Sequence, residues 1–323
     1  MTSDSGARPV LQAVAATWHE AGGGRRPSWS LTLDFVLRRL EAARRLFDDD
    51  LIATLVFVTI THGNVAHLDR DESLYSRWSG LALPPPDSLR RPISGYAAAQ
   101  ALGLPRETVR RKIAVLMARG QLMAGEGGYY TPASAHADPA MVDLARTTFV
   151  AARDYFLRMS DLGLVSAELT AAAEREPQRP RMVARAVNDF GPTLLEPLQR
   201  LGGGDLTNGI VFGSIAVFNL SGRAGAGRAG DGDSEARPPM RPISALALSA
   251  RVGIARETTR RHVRRLVAMD LAADGPGGLT VPWTVLATPR VQATLERACA
   301  GQPALLQRLA LAGILSSHTA PGG

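Results

Sequence analysis

The stretch that decides the fold occurs twice in this chain: residues 105–116 read PRETVRRKIAVL, and residues 255–266 read ARETTRRHVRRL. A constant offset of 150 residues separates the two strings. In a helix, which turns by about 100° per residue, the first string forms one apolar stripe from Val109, Ile113 and Leu116. Arginines occupy the opposite side. The repeat therefore predicts two amphipathic helices, each with a basic outer face.

The repeat extends over nearly the whole chain. The offset of 150 continues to Pro132 and Pro282, and upstream an offset of 155 places Asp34 on Asp189 and Asn64 on Asn219. The offset changes within Gly/Pro-rich stretches at about 65–91 and 220–241, which we interpret as connectors because loop length is cheap to alter. The chain is therefore interpreted as a tandem duplication.

The duplication predicts a mainly α fold in which each copy is a helical segment followed by a helix-turn-helix with a small β wing. Two apolar stretches, Leu51–Ile60 and Ile210–Phe218, combine β-branched residues with a helical context, and we predict buried helices for both. Such helices need partners on several sides. Either the two copies pack on one another about a pseudo-two-fold, or each stretch centres the core of its own domain. The predicted segments are 1–30 (N-terminal lead), 31–91 and 164–241 (helical segment and connector), and 92–163 and 242–323 (basic module and closing helix).

The basic module of each copy has its own start and stop signals. In the first copy, Ser94 can cap a short helix through Leu102, and Gly103 supplies a turn. A second helix then runs from about Pro105 to Arg119. The residues from Met123 to Tyr130 predict a two-stranded hairpin with a glycine tip, and residues 275–278, Gly-Pro-Gly-Gly, form the equivalent tip.

These residues resemble winged helix-turn-helix transcription regulators, and the string Arg-Glu-Thr-Val-Arg-Arg is similar to the recognition helix of the CRP/FNR and GntR types. The resemblance covers about 40 residues in each copy, and no cyclic-nucleotide-binding barrel or GntR-type effector domain is evident elsewhere. It implies that the side chains facing the bases are Arg106, Glu107, Arg111, Arg256, Glu257 and Arg261. The chemistry agrees, because arginine can bind guanine in a bidentate manner and glutamate can accept from cytosine N4.

A second set of residues on the same helices is better placed for phosphates, which position a protein without specifying sequence. This set comprises Thr108, Arg110, Lys112, Thr258, Arg260, His262, Arg264 and Arg265. Two features depart from the family pattern. The helix starts carry Pro105 and Ala255 instead of a capping hydroxyl, and Glu126 and Asp274 near the wing tips predict little minor-groove contact.

The charge distribution supports a polyanionic partner. The chain has a net charge of +7 and a pI of about 10.4, and of its 37 basic residues only Lys112 is a lysine. Residues 90–120 and 237–270 each carry +6, so the remainder sums to −5. A GC-rich genome would also raise the arginine content, but it would not concentrate the charge in two segments.

Several other signals are set aside. The string Gly225–Gly230 satisfies G-x-G-x-x-G, but Arg237-Pro238-Pro239 follows where a helix is required, which favours a linker. Cys299 is the one cysteine, and His62 and His67 are five apart, which does not suit a metal pair on one helix face. Asp48-Asp49-Asp50 is interpreted as a turn or helix end. No nucleophile or paired-carboxylate motif stands out, so we predict neither an enzyme nor a cofactor.

The sequence thus predicts a sequence-specific regulator of transcription that binds double-stranded DNA with two recognition helices from one chain. Paired helices would enter successive major grooves about 34 Å apart. Two alternatives remain open: a replication or plasmid-maintenance factor, and a winged-helix scaffold that binds acidic proteins. Contact with RNA polymerase or another protein, and an effector ligand of unknown chemistry, also remain open. The longest apolar run, Leu51–Thr61, is too short for a membrane span, so we expect no membrane partner and a cytoplasmic, nucleoid-associated location.

Overall fold

The structure is a computed structural model and describes residues 28–70, 72–161, 167–169, 179–221, 240–312 and 315–317. These residues are mainly helical and include three two-stranded antiparallel sheets, which confirms the predicted mainly α class. The glycine-rich string at 225–230 lies outside the described residues, as does most of the second connector.

The elements of the first half follow the predicted order. They are α1 (Ser28–Arg44), α2 (Leu51–Val65), α3 (Glu72–Arg77), α4 (Gly95–Leu102), α5 (Arg106–Ala118), β1 (Met123–Gly125), β2 (Gly128–Tyr130), α6 (Ala133–Ala137), α7 (Pro139–Asp161) and β3 (Ala167–Leu169). Short 3-10 turns cover Arg45–Phe47, Ala66–Arg70 and Asp87–Leu89. The first connector therefore contains helical turns, and Val65, Leu68 and Trp78 form a small apolar cluster beside it.

The second half repeats this order. Its elements are α8 (Pro180–Leu201), α9 (Leu206–Ser221), α10 (Ala245–Val252), α11 (Arg256–Ala268), β4 (Ala273–Gly275), β5 (Gly278–Thr280), α12 (Trp283–Leu286), α13 (Pro289–Cys299), α14 (Gln302–Leu311) and β6 (Leu315–Ser317). The closing helix is continuous in the first half but divided in the second. The division lies at Gly301, where a side chain would collide with α8, because a Cβ there would lie 2.7 Å from Thr193 Oγ1. Pro303 follows in the first turn of α14.

Both apolar stretches are helices, as predicted. The α2 helix begins at Asp50, whose side chain accepts a hydrogen bond from Ala53 N at 3.0 Å. Asp48 and Asp49 adopt left-handed φ values of 50° and 59°, so the acidic run is a turn that leads into a helix cap. Asp205 has the same place before α9 and accepts from Thr207 N at 2.8 Å. Residues on nearly every side of α2 and α9 are buried.

The two halves share one hydrophobic core. The α1 helix packs against α9 of the second half, and α8 packs against α2 of the first, so the repeat relates these two contacts to each other. Most of the buried apolar side chains of both halves belong to one continuous cluster, which includes Leu55, Val56, Val211 and Phe212. The short strands β3 and β6 pair antiparallel, with Ala167 opposite Ser317 and Leu169 opposite Leu315. Each half therefore completes the core of the other.

One helical stretch of the described residues, Leu51–Asp69, is long and apolar enough to span a membrane, with a mean hydropathy of 1.5. Within the fold, 61% of that window is buried. The pair Pro180–Leu201 and Leu206–Ser221 meets the same criterion only when joined, and the pair is bent by 98°. The core helix of a soluble protein meets the same criterion.

Candidate nucleic-acid interface

Each half presents two short helices joined by a glycine turn. Ser94 Oγ accepts from Ala97 N at 3.0 Å at the start of α4, and the helix ends at Gly103 with φ 58°. In the second half, Ser244 Oγ accepts from Ala247 N at 3.1 Å, and α10 ends at Gly253 with φ 67°. Only glycine adopts this left-handed conformation without strain. The predicted caps and turns are therefore present in both halves.

The inner faces of α5 and α11 are buried against the module. Val109, Ile113 and Leu116 are at most 2% exposed, as the predicted apolar stripe requires. On α11 the stripe is formed by Thr259, Val263 and Leu266. Thr259 is polar where the first half has valine, and its hydroxyl donates to Ile254 O at 3.1 Å. Neither helix start has a side-chain cap, as expected from Pro105 and Ala255.

A hairpin follows each of these helices and is fastened to the core. Backbone hydrogen bonds join Ile93 to Tyr129, at 2.9 Å in each direction. Buried Asn64 on α2 donates to Arg91 O at 2.8 Å and to Tyr129 O at 3.1 Å, and it accepts from Thr131 N at 3.0 Å. Asn219 makes the equivalent contacts in the second half. The asparagine therefore holds the hairpin against the apolar helix.

The exposed face of α5 carries several arginine side chains that form few ion pairs with other described residues. Arg110 makes two hydrogen bonds to the Glu107 carboxylate, at 2.8 and 2.7 Å, and these bonds lower the pKa of Glu107. The Arg106 guanidinium lies 4.1 Å from the centre of the Tyr96 ring. Arg111 is exposed and pairs with no carboxylate of the described residues. A carboxylate has about four acceptor sites, so two of those on Glu107 are left for a base while the pair with Arg110 persists.

The exposed face of α11 is more basic. Arg256, Arg260 and Arg261 are all exposed, and within the described part of the chain no carboxylate pairs with them. Glu257 lies 3.8 Å from Arg264, where both side chains are largely exposed, so this pair is weak. The two helices therefore present similar but unequal charged faces.

The structure corrects the assignment of His262 as a phosphate contact. Its side chain is buried, and Nδ1 lies 2.7 Å from Asn208 Oδ1 and 3.8 Å from Asp205 Oδ2. Burial lowers the pKa of this imidazole. The prediction is wrong because this helix position faces the start of α9 and not solvent.

Other phosphate candidates are only partly available. Lys112, equivalent to His262, forms an ion pair with Asp50 at the start of α2 and is half-buried. Arg265 is exposed but lies 3.3 Å from Asp205. Thr108 and Thr258 are half-buried. The fully exposed members of the predicted set are Arg110, Arg260, Arg264 and Arg265.

Sequence reasoning missed the contacts that tie each module to the opposite half. Arg44 at the end of α1 donates to Ala250 O at 2.5 Å, and Asp34 pairs with Arg251 at 3.1 Å. Gln199, which the repeat places on Arg44, lies 3.5 Å from the α4 carbonyl oxygens of Leu102 and Gly103. The sequence did not predict these contacts, because Gln199 replaces Arg44 and Ala101 replaces Arg251 at the equivalent positions of the repeat.

No group of three or more His, Cys, Asp or Glu residues suited to a metal occurs among the residues that the structure describes. No protein-family model, curated protein or solved structure matches this chain. Functional inference therefore depends on the geometry of α5, α11 and their surroundings.

Proposed function

We propose that this chain is a sequence-specific regulator of transcription that binds double-stranded DNA through two winged helix-turn-helix modules. The observation that carries the proposal is the duplication of one exposed basic face. On both α5 and α11, the inner residues are buried, while exposed arginines have no carboxylate partner among the described residues, namely Arg111 on α5 and Arg256, Arg260 and Arg261 on α11.

The chemistry of these faces suits a duplex. An exposed arginine can make bidentate contacts with guanine, and the same group binds phosphate oxygens. Arg106, Glu107 and Arg111 are the proposed base contacts of the first module, and Arg256, Glu257 and Arg261 are those of the second. Arg110, Arg260 and Arg264 are the proposed phosphate contacts. The ion pair between Arg110 and Glu107 is fully exposed and therefore exchanges at little cost.

The shared core supports binding by one chain at two related half-sites. The first module is fastened to α2 and the second to α9, and both helices belong to the shared core, so the body sets the relative position of the modules. A monomer would then behave as a dimer does at a palindrome.

Selection of bound duplexes from a random DNA pool at about 150 mM salt tests the proposal, because this ionic strength suppresses binding that depends on charge alone. We expect one enriched motif with two related halves separated by about 10 base pairs or a multiple. A single enriched half-site would reject the paired arrangement, and no enrichment would reject sequence-specific recognition. Weak, salt-sensitive binding without sequence preference would favour the scaffold for acidic partners.

Substitution separates recognition from general charge. Arg111→Ala and Arg261→Ala should each cost about 1–3 kcal/mol and relax the preference at one half of the motif. Arg146→Ala is the matched control, because it removes one exposed positive charge from α7, away from both helices. Equal losses in all three variants would show that only net charge matters.

A further inference from the structure

Two cavities meet at Arg39 on α1. The larger has a volume of about 660 Å³ and lies between α2 and α4 of the first half and α8 of the second. Its apolar wall includes Val36, Leu40, Leu55, Val58, Leu195 and Leu206. The smaller has a volume of about 80 Å³ and shares Arg39, Val58 and Asn188 with the larger. The larger volume falls within the range of about 300–1,000 Å³ that is typical of small-molecule sites.

The two halves differ at three equivalent positions that line the larger cavity. Around the second module, Arg251 forms an ion pair with Asp34 of α1 at 3.1 Å, and Arg44 of α1 donates a hydrogen bond to a carbonyl oxygen near the end of α10. The repeat places Ala101 on Arg251 and Gln199 on Arg44, so neither arginine has an arginine equivalent between the first module and α8. Gly213 takes the place of Val58, and a Cβ there would lie 3.0 Å from Leu33. The second module is therefore held by two arginines, whereas the first module meets α8 at Gln199, beside the larger cavity.

Arg39, which lines both cavities, has no carboxylate partner among the residues that the structure describes. Its Nη2 atom donates to Asn188 Oδ1 at 2.5 Å, but Nε is buried without a hydrogen-bond partner. Within the described residues no carboxylate pairs with this guanidinium, and burial lowers its pKa to about 10. Burying an unpaired charge is costly, and an anion at this position would offset the cost.

The smaller cavity has a strongly positive surrounding. It is lined by Arg39, Arg90, Arg181, Arg185 and His136, and by no Asp or Glu. Arg90 and Arg185 have carboxylates nearby, Asp87 and Asp69, each at 3.3 Å.

Two other residues that line the smaller cavity, Arg181 and His136, show the same excess of positive charge. Arg181 donates only to carbonyl oxygens among the hydrogen bonds of the described residues, including His136 O at 2.9 Å. Burial and the nearby charges of Arg90 and Arg181 lower the pKa of His136 to about 3. The titratable groups lining the larger cavity are Arg39, His62 and Glu196, of which Glu196 pairs with Arg200.

We propose that these neighbouring cavities form a site for an amphipathic organic acid, with its apolar body in the larger cavity and its acidic group against Arg39. The bound molecule would bridge α8 and α4, the first helix of the first module. Occupancy would then fix the position of α5 relative to the body. The proposed binding site depends only on the cavities, whereas an effect of the bound molecule on DNA binding rests on the proposed function.

Calorimetric titration with decanoate and with decan-1-ol tests the site. The two probes share an apolar chain and differ in charge. We expect one decanoate per chain and at least about tenfold tighter binding of decanoate than of the alcohol, because only the acid neutralises Arg39. Equal affinities for the two probes, or no decanoate binding, would overturn the proposal.

Two variants locate the binding. Gly191→Phe on α8 should abolish binding of both probes, because Gly191 lines the larger cavity and nothing lies within 4 Å of a Cβ built there. Arg39→Met should remove the preference for the acid. Arg38→Met is the matched control, since this side chain is 57% exposed and adjacent on the same helix, and binding should be unchanged. Undiminished decanoate binding by Gly191→Phe would reject the assigned cavity even if Arg39→Met fails to fold.

A separate measurement tests the link to DNA. Decanoate should change the affinity for the selected duplex in the native chain and not in Gly191→Phe. If the chain binds decanoate but no specific DNA, the proposed function fails and the site remains. If it binds specific DNA but no decanoate, the site fails and the proposed function remains.

Discussion

Replacing Asn64 by leucine should weaken the attachment of the first hairpin to the core. The side chain is buried and makes three hydrogen bonds, to Arg91 O, Tyr129 O and Thr131 N. Leucine has a similar size but no polar atoms. Tyr129 O retains its bond from Ile93 N, whereas Arg91 O and the amide of fully buried Thr131 lose the partner supplied by Asn64.

The expected loss follows from these two orphaned groups. The buried amide of Thr131 without a partner costs about 1–3 kcal/mol, and the lost bond to Arg91 O adds about 0.5–1.5 kcal/mol, so Asn64→Leu should lower the free energy of unfolding by about 1.5–4.5 kcal/mol. Urea denaturation followed by circular dichroism measures the loss. The control is Thr61→Val one turn earlier on α2, which removes a single hydroxyl contact with Thr131 Oγ1 at 2.7 Å and should cost about 1 kcal/mol.

A third variant separates hydrogen bonding from size. Asn64→Asp keeps the acceptor for Thr131 N but turns a carboxylate oxygen towards two carbonyl oxygens, so it should destabilise the protein as strongly as leucine does. The reasoning fails if Asn64→Leu costs less than Thr61→Val, or if Asn64→Asp is as stable as the native chain.

Three further predictions concern pH, reactivity and helix capping. The pKa of His136 is lowered to about 3, so the unfolded state binds the proton more readily and stability falls as pH decreases below the unfolded pKa of 6.5; between pH 6.5 and 5 this group should cost about 1.5 kcal/mol, and urea titrations of His136→Gln should show a correspondingly smaller loss. Cys299 is buried with its pKa raised to about 12, so a disulfide reagent at pH 8 should label it slowly in buffer and rapidly in urea, and equal rates would contradict its burial. Ala255→Ser should add the missing cap of α11 and raise the free energy of unfolding by about 0.5–1 kcal/mol, whereas an unchanged urea midpoint would show that the start of α11 gains nothing from a hydroxyl.

The sequence by itself determined the local architecture of each half. The helix of the apolar stretch, the Ser94 cap, the Gly103 turn and the hairpin after α5 were all predictable. These features depend on residues close together in the chain, through capping bonds, backbone conformations that favour glycine, and helical periodicity. The repeat strengthened each prediction, because the same local signals occur twice.

The tertiary structure decided what those elements face. Sequence position alone put His262 on the basic surface, but packing of α11 against the start of α9 buries it beside Asn208. The contact of Arg44 with α10 joins residues from opposite halves of the chain. The cavity that Ala101 lines, where the second half has Arg251, is likewise formed by both halves. Such contacts depend on how the two halves pack, and periodicity within one helix carries no information about the side chains that a distant segment brings to it.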